Sequence, residues 1–195
     1  MRGEDVLIAE SVGTRLGSGL GRSGRLDGDA RARTLAVVAD YVATVRTRDA
    51  LLDVIATSAL RRADDAADFR AAVQTLTGIA PRVLSGEEEA SYSFRGATHA
   101  LRVDGRVGVL DVGGGSTEFA AGTRGNVERT VSLEVGAVRL SERHLPLLGA
   151  RALAADERAA VLADARADAR AILAPLTSFA GTFEQLIAVG GTVFT

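Results

Sequence analysis

The sequence contains no cysteine, no tryptophan and no lysine, and only two histidines, three prolines and one methionine. Without cysteine there are no disulfides, no thiolate nucleophile and no cysteine-ligated zinc. All 23 basic residues are arginine, which removes the phosphate-loop lysine, Schiff-base chemistry and a lysine general base together. His99 and His144 stand far apart and show no metal-ligand spacing. No apolar run approaches the roughly 20 residues that a membrane helix needs, and no signal-peptide pattern opens the chain. A net charge of -2 and a pI near 5.8 speak against broad binding to nucleic acid or to an acidic membrane. The expectation is a soluble, cytoplasmic protein. Its chemistry has to come from Asp, Glu, Arg, Ser, Thr and backbone amides.

What remains is ordinary globular material. The 195 residues are 47% hydrophobic and 25% charged, enough for one domain or two small lobes. Val6 to Leu16 mixes apolar and polar residues like a partly exposed strand, and the glycine-rich 17–24 stretch is expected to hold no regular element. Leu35, Val38, Val42 and Val45 step by three and four, which predicts a helix from about Asp29 to Arg48. Leu51 to Ala56 reads as a buried strand. A helix is expected from Asp65 to Thr77, closed by Gly78, then a short strand over Arg82 to Leu84 and a helix from Ser85 to about Ala100. Arg106 to Val112, Thr117 to Ala121 and Val127 to Val135 read as a three-stranded meander. Helices near Val138 to Leu145 and from Asp156 to Phe179 follow, with a last strand over Leu186 to Val189. The order predicts two α/β lobes, residues 1–105 and 106–195.

The strongest local signal is Asp111-Val112-Gly113-Gly114-Gly115-Ser116-Thr117-Glu118. Three glycines between two strand patterns permit a turn whose amides crowd toward one point, a cradle for an anion. If residues 113–116 form the hairpin loop, Asp111 falls opposite Glu118, with Cβ atoms about 5 Å apart. Two carboxylates at that distance repel by roughly 3 kcal/mol at an effective dielectric near 20, which a divalent metal bridging a bound phosphate would resolve. The plainer reading is a hairpin tip with two solvated acids.

In Ser85-Gly86-Glu87-Glu88-Glu89, Ser85 and Glu88 make a capping box and Glu87 suits the positive end of the helix dipole. Capping does not account for Glu89, which makes it the candidate base if one of the three is a base; the plainer reading is a third surface acid favoured by the helix dipole. Thr57-Ser58-Ala59-Leu60-Arg61 is a strand exit with two hydroxyls and an arginine fork suited to phosphate, and it reads equally as an ordinary turn. Gly190-Gly191-Thr192 is a second glycine loop after a strand. Gly19-Leu20-Gly21-Arg22-Ser23-Gly24 fits the dinucleotide-binding pattern, but Leu26-Asp27-Gly28 separates it from the next helix, so it is set aside.

Taken together, Asp111–Glu118, Ala56–Arg61, Ser85–Ala90, Ser132–Arg143 and Gly190–Thr192 resemble the motifs of the Ppx/GppA phosphatases, in that family's order. These are exopolyphosphatases and guanosine pentaphosphate phosphohydrolases. The resemblance implies an α/β, actin-like (ribonuclease-H-like) two-lobed fold with a phosphate site between the lobes. It also implies magnesium-dependent hydrolysis of a terminal phosphoanhydride, with inorganic polyphosphate or guanosine pentaphosphate as substrate. By that likeness Glu89 is the water-activating base and Glu118 a second catalytic acid, while Asp111 and Glu118 hold Mg2+. Gly113, Gly114, Gly115, Ser116 and Thr117 bind phosphate, together with Arg61, Gly190, Gly191 and Thr192. Asp65 stands where many members carry Asn.

The chain departs from the family at both ends. The first strand with its Asp-x-Gly-Ser loop does not precede Val6, and the chain stops just after Gly190-Gly191-Thr192, so it reads as a piece of a family member. Two alternatives stand beside the hydrolase: a catalytically inactive phosphate-binding fragment, and an ATPase or sugar kinase of the same superfamily. Full-length relatives commonly dimerise, so a homodimer is expected of the complete protein.

Overall fold

The structure, a computed structural model, describes residues 6–48, 50–144 and 154–193. Residues 6–15 carry no strand. A strand needs a neighbour to take its backbone bonds, and among the described residues none pairs with this segment. The glycine-rich stretch does hold one element, the single helical turn α1 (Leu20–Ser23). Gly19 and Gly24 bracket it in the left-handed conformation, and Leu20 is buried.

Helix α2 (Gly28–Arg46) starts where Asp27 accepts the Ala30 amide at 2.9 Å. The strand expected over Leu51 to Ala56 shrinks to β1 (Ile55–Ala56), with Leu51 fully exposed. Among the described residues it pairs only with the equally short β2 (Arg82–Val83), in parallel, and this two-stranded sheet is too narrow to bury a longer run. Helix α3 (Ser58–Arg62) follows β1, and α4 (Ala66–Thr77) ends on left-handed Gly78 as expected. Leu20, Leu26, Leu60, Phe69 and Val73 close a first core among these helices.

Helix α5 (Gly86–Leu101) opens on the anticipated capping box: the Glu88 amide donates to Ser85 Oγ at 3.1 Å, and the Ser85 amide to Glu88 Oε2 at 2.8 Å. A four-stranded sheet comes next, built from β3 (Arg106–Val112), β4 (Thr117–Thr123), β5 (Asn126–Leu133) and β6 (Gln185–Val189) in the order β5-β4-β3-β6. The β3–β4–β5 meander is antiparallel and β6 joins β3 in parallel.

Alternation along these strands gives the sheet two different faces. On one, Val107, Val109 and Ala120 pack with Ala90 and Phe94 of α5. On the other, Phe119 meets Phe179 edge-on, ring centroids 4.8 Å apart. The division expected near residue 105 falls between α5 and β3, and α5 lies against the sheet that follows it.

Helix α6 (Ala137–His144) covers the described part of the segment expected to be helical; Leu145 lies outside the described residues. Helix α7 (Ala155–Leu173) passes into a 3-10 turn over Ala174–Phe179, where Pro175 cannot donate a backbone bond. No helix among the described residues is long and apolar enough to cross a membrane.

Candidate functional site

Four chain segments that leave strands converge at one end of the sheet. β1 runs into α3, β2 into α5, β5 into α6, and β3 turns into β4 through the three glycines. The turn has the expected register: Val112 pairs with Thr117, and Asp111 faces Glu118 directly. Both acids therefore project from the sheet face that α5 covers.

Local bonds fix the peptide planes of the turn. The Gly113 amide donates to the Ser116 carbonyl at 3.0 Å. The first amides of α6 take the turn's own carbonyls, Ala137 donating to Gly113 at 3.2 Å and Val138 and Arg139 to Gly114 at 2.9 and 3.1 Å. Gly136 allows this approach, because a β-carbon there would lie 2.5 Å from the Gly114 carbonyl. With those carbonyls drawn toward α6, the amides of Gly114, Gly115 and Ser116 make no hydrogen bond among the described residues.

A cavity of about 250 Å3 opens beside the turn. Gly113 to Ser116 line it together with Ser58 and Glu89, and Arg15, Arg62 and Arg139 add positive charge. Ser58 comes so close that a β-carbon on Gly115 would stand 2.7 Å from its Oγ. That hydroxyl is buried and has no hydrogen-bond partner among the described residues. A buried donor without a partner is uncommon and costs of the order of 1–3 kcal/mol unless something binds it. Arg15 is one of two non-glycine residues with positive φ among the described residues, at 54°, a sparsely populated conformation that tends to occur where function holds it.

Arg61, Glu118 and Asp111 are not part of the lining of this cavity, but Arg61 ties Glu118 to Glu89 on its wall. Its Nη1 donates to Glu89 Oε2 at 2.6 Å and to the Leu84 carbonyl at 3.0 Å, while Nη2 lies 3.6 Å from Glu118 Oε1. Glu118 is only 2% exposed, and Ser132 donates to its Oε1 at 2.7 Å. Burial raises the Glu118 carboxyl above the usual range and the nearby Glu89 adds to the shift, against the hydroxyls of Ser132 and Ser116 and the charge of Arg61. Asp111 accepts a hydrogen bond from Ser93 of α5.

The remaining expected site residues have other placements. The hydroxyl of Thr117 is donated to the Val135 carbonyl at 2.7 Å, within the buried base of the hairpin. Gly190, Gly191 and Thr192 do not line the cavity. Gly190, at φ 98°, packs on Asp111 and the Val112 carbonyl, and Thr192 lies 3.4 Å from the Gly113 carbonyl, so this loop backs the turn. Asp65 is buried away from the cavity, where it accepts the Leu26 amide at 3.0 Å and pairs with Arg31 at 2.9 Å. Ser58, Arg15, Arg62 and Arg139 escaped the sequence reading as site residues. Ser58 sits inside a motif that was noticed, whereas only folding brings the three arginines to the turn.

Among the described residues no three His, Asp or Glu side chains converge to hold a metal. Magnesium commonly takes only one or two protein carboxylates and completes its shell with phosphate oxygens and water. The opposed Asp111 and Glu118 fit that donor set in type and number, Asp111 with one oxygen outside its bond from Ser93.

Comparisons with known proteins bear on the family and the fold. The model of the Ppx/GppA phosphatase family matches residues 3–184. An exopolyphosphatase from Cytophaga hutchinsonii is 26% identical with a TM-score of 0.80, over 95% of this chain and 59% of that one. An exopolyphosphatase-like protein gives 27% identity and a TM-score of 0.80, over 92% of this chain and 57% of that one. The Ppx/GppA family member of Aquifex aeolicus gives 26% and 0.68, over 92% of this chain and 56% of that one. The chain thus spans a little over half the length of these structures, and its α/β fold is of their actin-like class. On the extent of the family match, the chain belongs to the Ppx/GppA phosphatase family.

Proposed function

We propose that the chain carries the phosphate site of a magnesium-dependent phosphohydrolase, which releases the terminal phosphate of inorganic polyphosphate or guanosine pentaphosphate. The observation that carries this reading is the shared cavity: unspent turn amides, the unpartnered Ser58 hydroxyl and the Glu89 carboxylate line the same walls.

The terminal phosphoryl group sits against the amides of Gly114, Gly115 and Ser116 and receives the Ser58 hydroxyl. Arg62 and Arg139, which line the same cavity, offset its charge. Glu89, held in place by Arg61, takes a proton from a water as that oxygen bonds to phosphorus. The bridging P–O bond breaks, and orthophosphate leaves with a chain one unit shorter. Asp111 and Glu118 would hold magnesium, whose chemistry there is to neutralise charge on the phosphoryl oxygens. Phosphoryl transfer depends mostly on positioning and charge of this kind, so a site of three acids, arginines and amides suffices without a nucleophilic side chain.

The test is phosphate release by the chain from long-chain polyphosphate and from guanosine pentaphosphate, with and without magnesium. Turnover that needs the ion supports the reading. Phosphate binding without turnover in either case favours the inactive phosphate-binding module. Replacing Glu89 by Gln should lower turnover by about 10²–10⁴-fold, the usual contribution of a general base, and unchanged turnover removes Glu89 from the mechanism.

A further inference from the structure

The end of the sheet away from the glycine turn carries positive charge that the chemistry at the turn does not use. β4 leaves the turn at Thr117 and reaches its hairpin with β5 at Thr123, roughly 20 Å further on at the usual strand rise. There an open groove of about 690 Å3 lies between α5 and the hairpin. Arg95, Thr98 and His99 line it from the helix and Arg124 from the hairpin. Gly96 and Gly125 line it too, and a β-carbon on either would meet nothing within 4 Å, so the space beside them is open.

The hairpin fixes where Arg124 stands. Thr123 pairs with Asn126, which leaves Arg124-Gly125 as a two-residue turn, and Gly125 supplies the left-handed φ, 81°, that such a turn requires. Just before the turn the register shifts between Ala121 and Gly122, and a β-carbon on Gly122 would lie 2.1 Å from the Asn126 carbonyl. Bulges of this kind re-aim a side chain and are frequent beside functional sites.

Local structure accounts for only part of the charge. His99 stands in the last turn of α5, where the helix dipole favours a cation. Arg95 lies four residues earlier on the same face, in the body of the helix, where two basic side chains do not stabilise one another. Arg124 belongs to another element. Neither arginine side chain has an ion pair or a hydrogen bond among the described residues. Glu128, on the strand that follows Arg124, is bound to Arg106 at 2.6 Å.

Guanidinium forks match the oxygens of phosphate, and the His99 ring adds an N–H donor. A nucleoside or a lipid would call for an apolar surface, and no apolar side chain lines the groove. We propose that Arg95, His99 and Arg124 form an anion site, separate from the glycine turn, that takes a small free phosphate, either orthophosphate or pyrophosphate. This site does not depend on the reading of the turn. α5 also carries Glu89 and β4 carries Glu118, so the ligand bridges the far ends of the two elements that hold those acids.

The chain has only two histidines, so imidazole signals read the groove directly: His99 lines it and His144 does not. The experiment is NMR titration of the chain with sodium phosphate and, separately, with sodium pyrophosphate. Each is run against sodium chloride at matched ionic strength and fixed pH. The His99 signals should follow a saturating curve with at least one of the two phosphates, and the tighter one identifies the ligand. Arg124→Gln should weaken that binding about tenfold, and the double variant with Arg95→Gln further, the usual worth of a hydrogen bond to a charged group. Both arginines are exposed, so the fold persists, which circular dichroism verifies. A His99 response that never saturates, that chloride reproduces, or that keeps its affinity in the double variant overturns the site. The backbone amides of Gly114, Gly115 and Ser116 report on the glycine turn in the same titrations, so failure there and failure in the groove are seen apart.

Discussion

Ser58 and Gly115 touch across the candidate site so closely that the hydroxyl occupies the place where a side chain on the glycine would begin. Gly115→Ala should therefore destabilise the chain by about 1–3 kcal/mol, the usual cost of overpacking a tight contact. Adding Ser58→Ala removes the obstructing oxygen and should recover part of that loss in thermal denaturation. Phosphate affinity should stay low in the double variant, since the hydroxyl is gone and a methyl group intrudes. Full recovery of phosphate binding would show that neither group meets the ligand.

Arg61 stands between Glu89 and Glu118, each of which it partly neutralises. Arg61→Met leaves those acids without their cation in a pocket where Arg61 and Glu89 are only 18% exposed. A loss of about 1–3 kcal/mol is expected at neutral pH. The loss should shrink in acid, because a protonated Glu118 no longer needs the guanidinium. Chemical denaturation of both proteins at two pH values measures this, and a loss independent of pH would assign Arg61 a packing role only.

Glu118 has its own signature. Its folded-state pKa lies above the ordinary 4.5, so the folded chain holds this proton more tightly than the unfolded chain. Stability from this group is complete below 4.5 and is lost as pH rises through the raised folded value. Glu118→Gln should then gain on the wild type as pH rises across that window, with the two differing least in acid. A difference that grows in the opposite direction would place Glu118 in a charged, well-solvated setting.

Asp65 works the other way. The Leu26 amide is the chief cause of its lowered pKa, with Arg25 and Arg31 contributing and burial opposing. Its stabilising contribution is present above the ordinary 3.8 and disappears as pH falls through the lower folded value. Asp65→Asn should lose stability at neutral pH and show a flatter acid limb in thermal melts, while phosphate binding is unaffected. A marked loss of phosphate affinity would give this residue a part in the site.

Much of this arrangement is legible in the sequence because it is local. The glycine run sets the hairpin length, and the two-residue period of a strand then forces Asp111 opposite Glu118. Ser85 and Glu88 announce the start of α5 in the same way, and Gly78 the end of α4. Features that depend on distant partners were not legible. The alternation over Val6 to Leu16 looks like a strand, yet pairing needs a neighbour that the sequence pattern does not name. The single turn of α1 exists because Leu20 finds a core made by Leu60 and Phe69, well downstream. The sequence does not show that the Val135 carbonyl takes the Thr117 hydroxyl, because only the fold brings the two together. The positions of Arg15, Arg62 and Arg139 likewise follow from tertiary contacts between segments that sequence reasoning treats separately.

The close seat of Gly136 on Gly114 has a further consequence. The pucker of the anion cradle is set from outside, by where a neighbouring helix begins, and the strands that carry the cradle do not determine it alone. A methyl group at position 136 would lever that helix off the turn and let the two drawn-back carbonyls swing round. The nest of donors would become a mixed surface that repels the ligand it now invites, although no residue of the glycine run had changed.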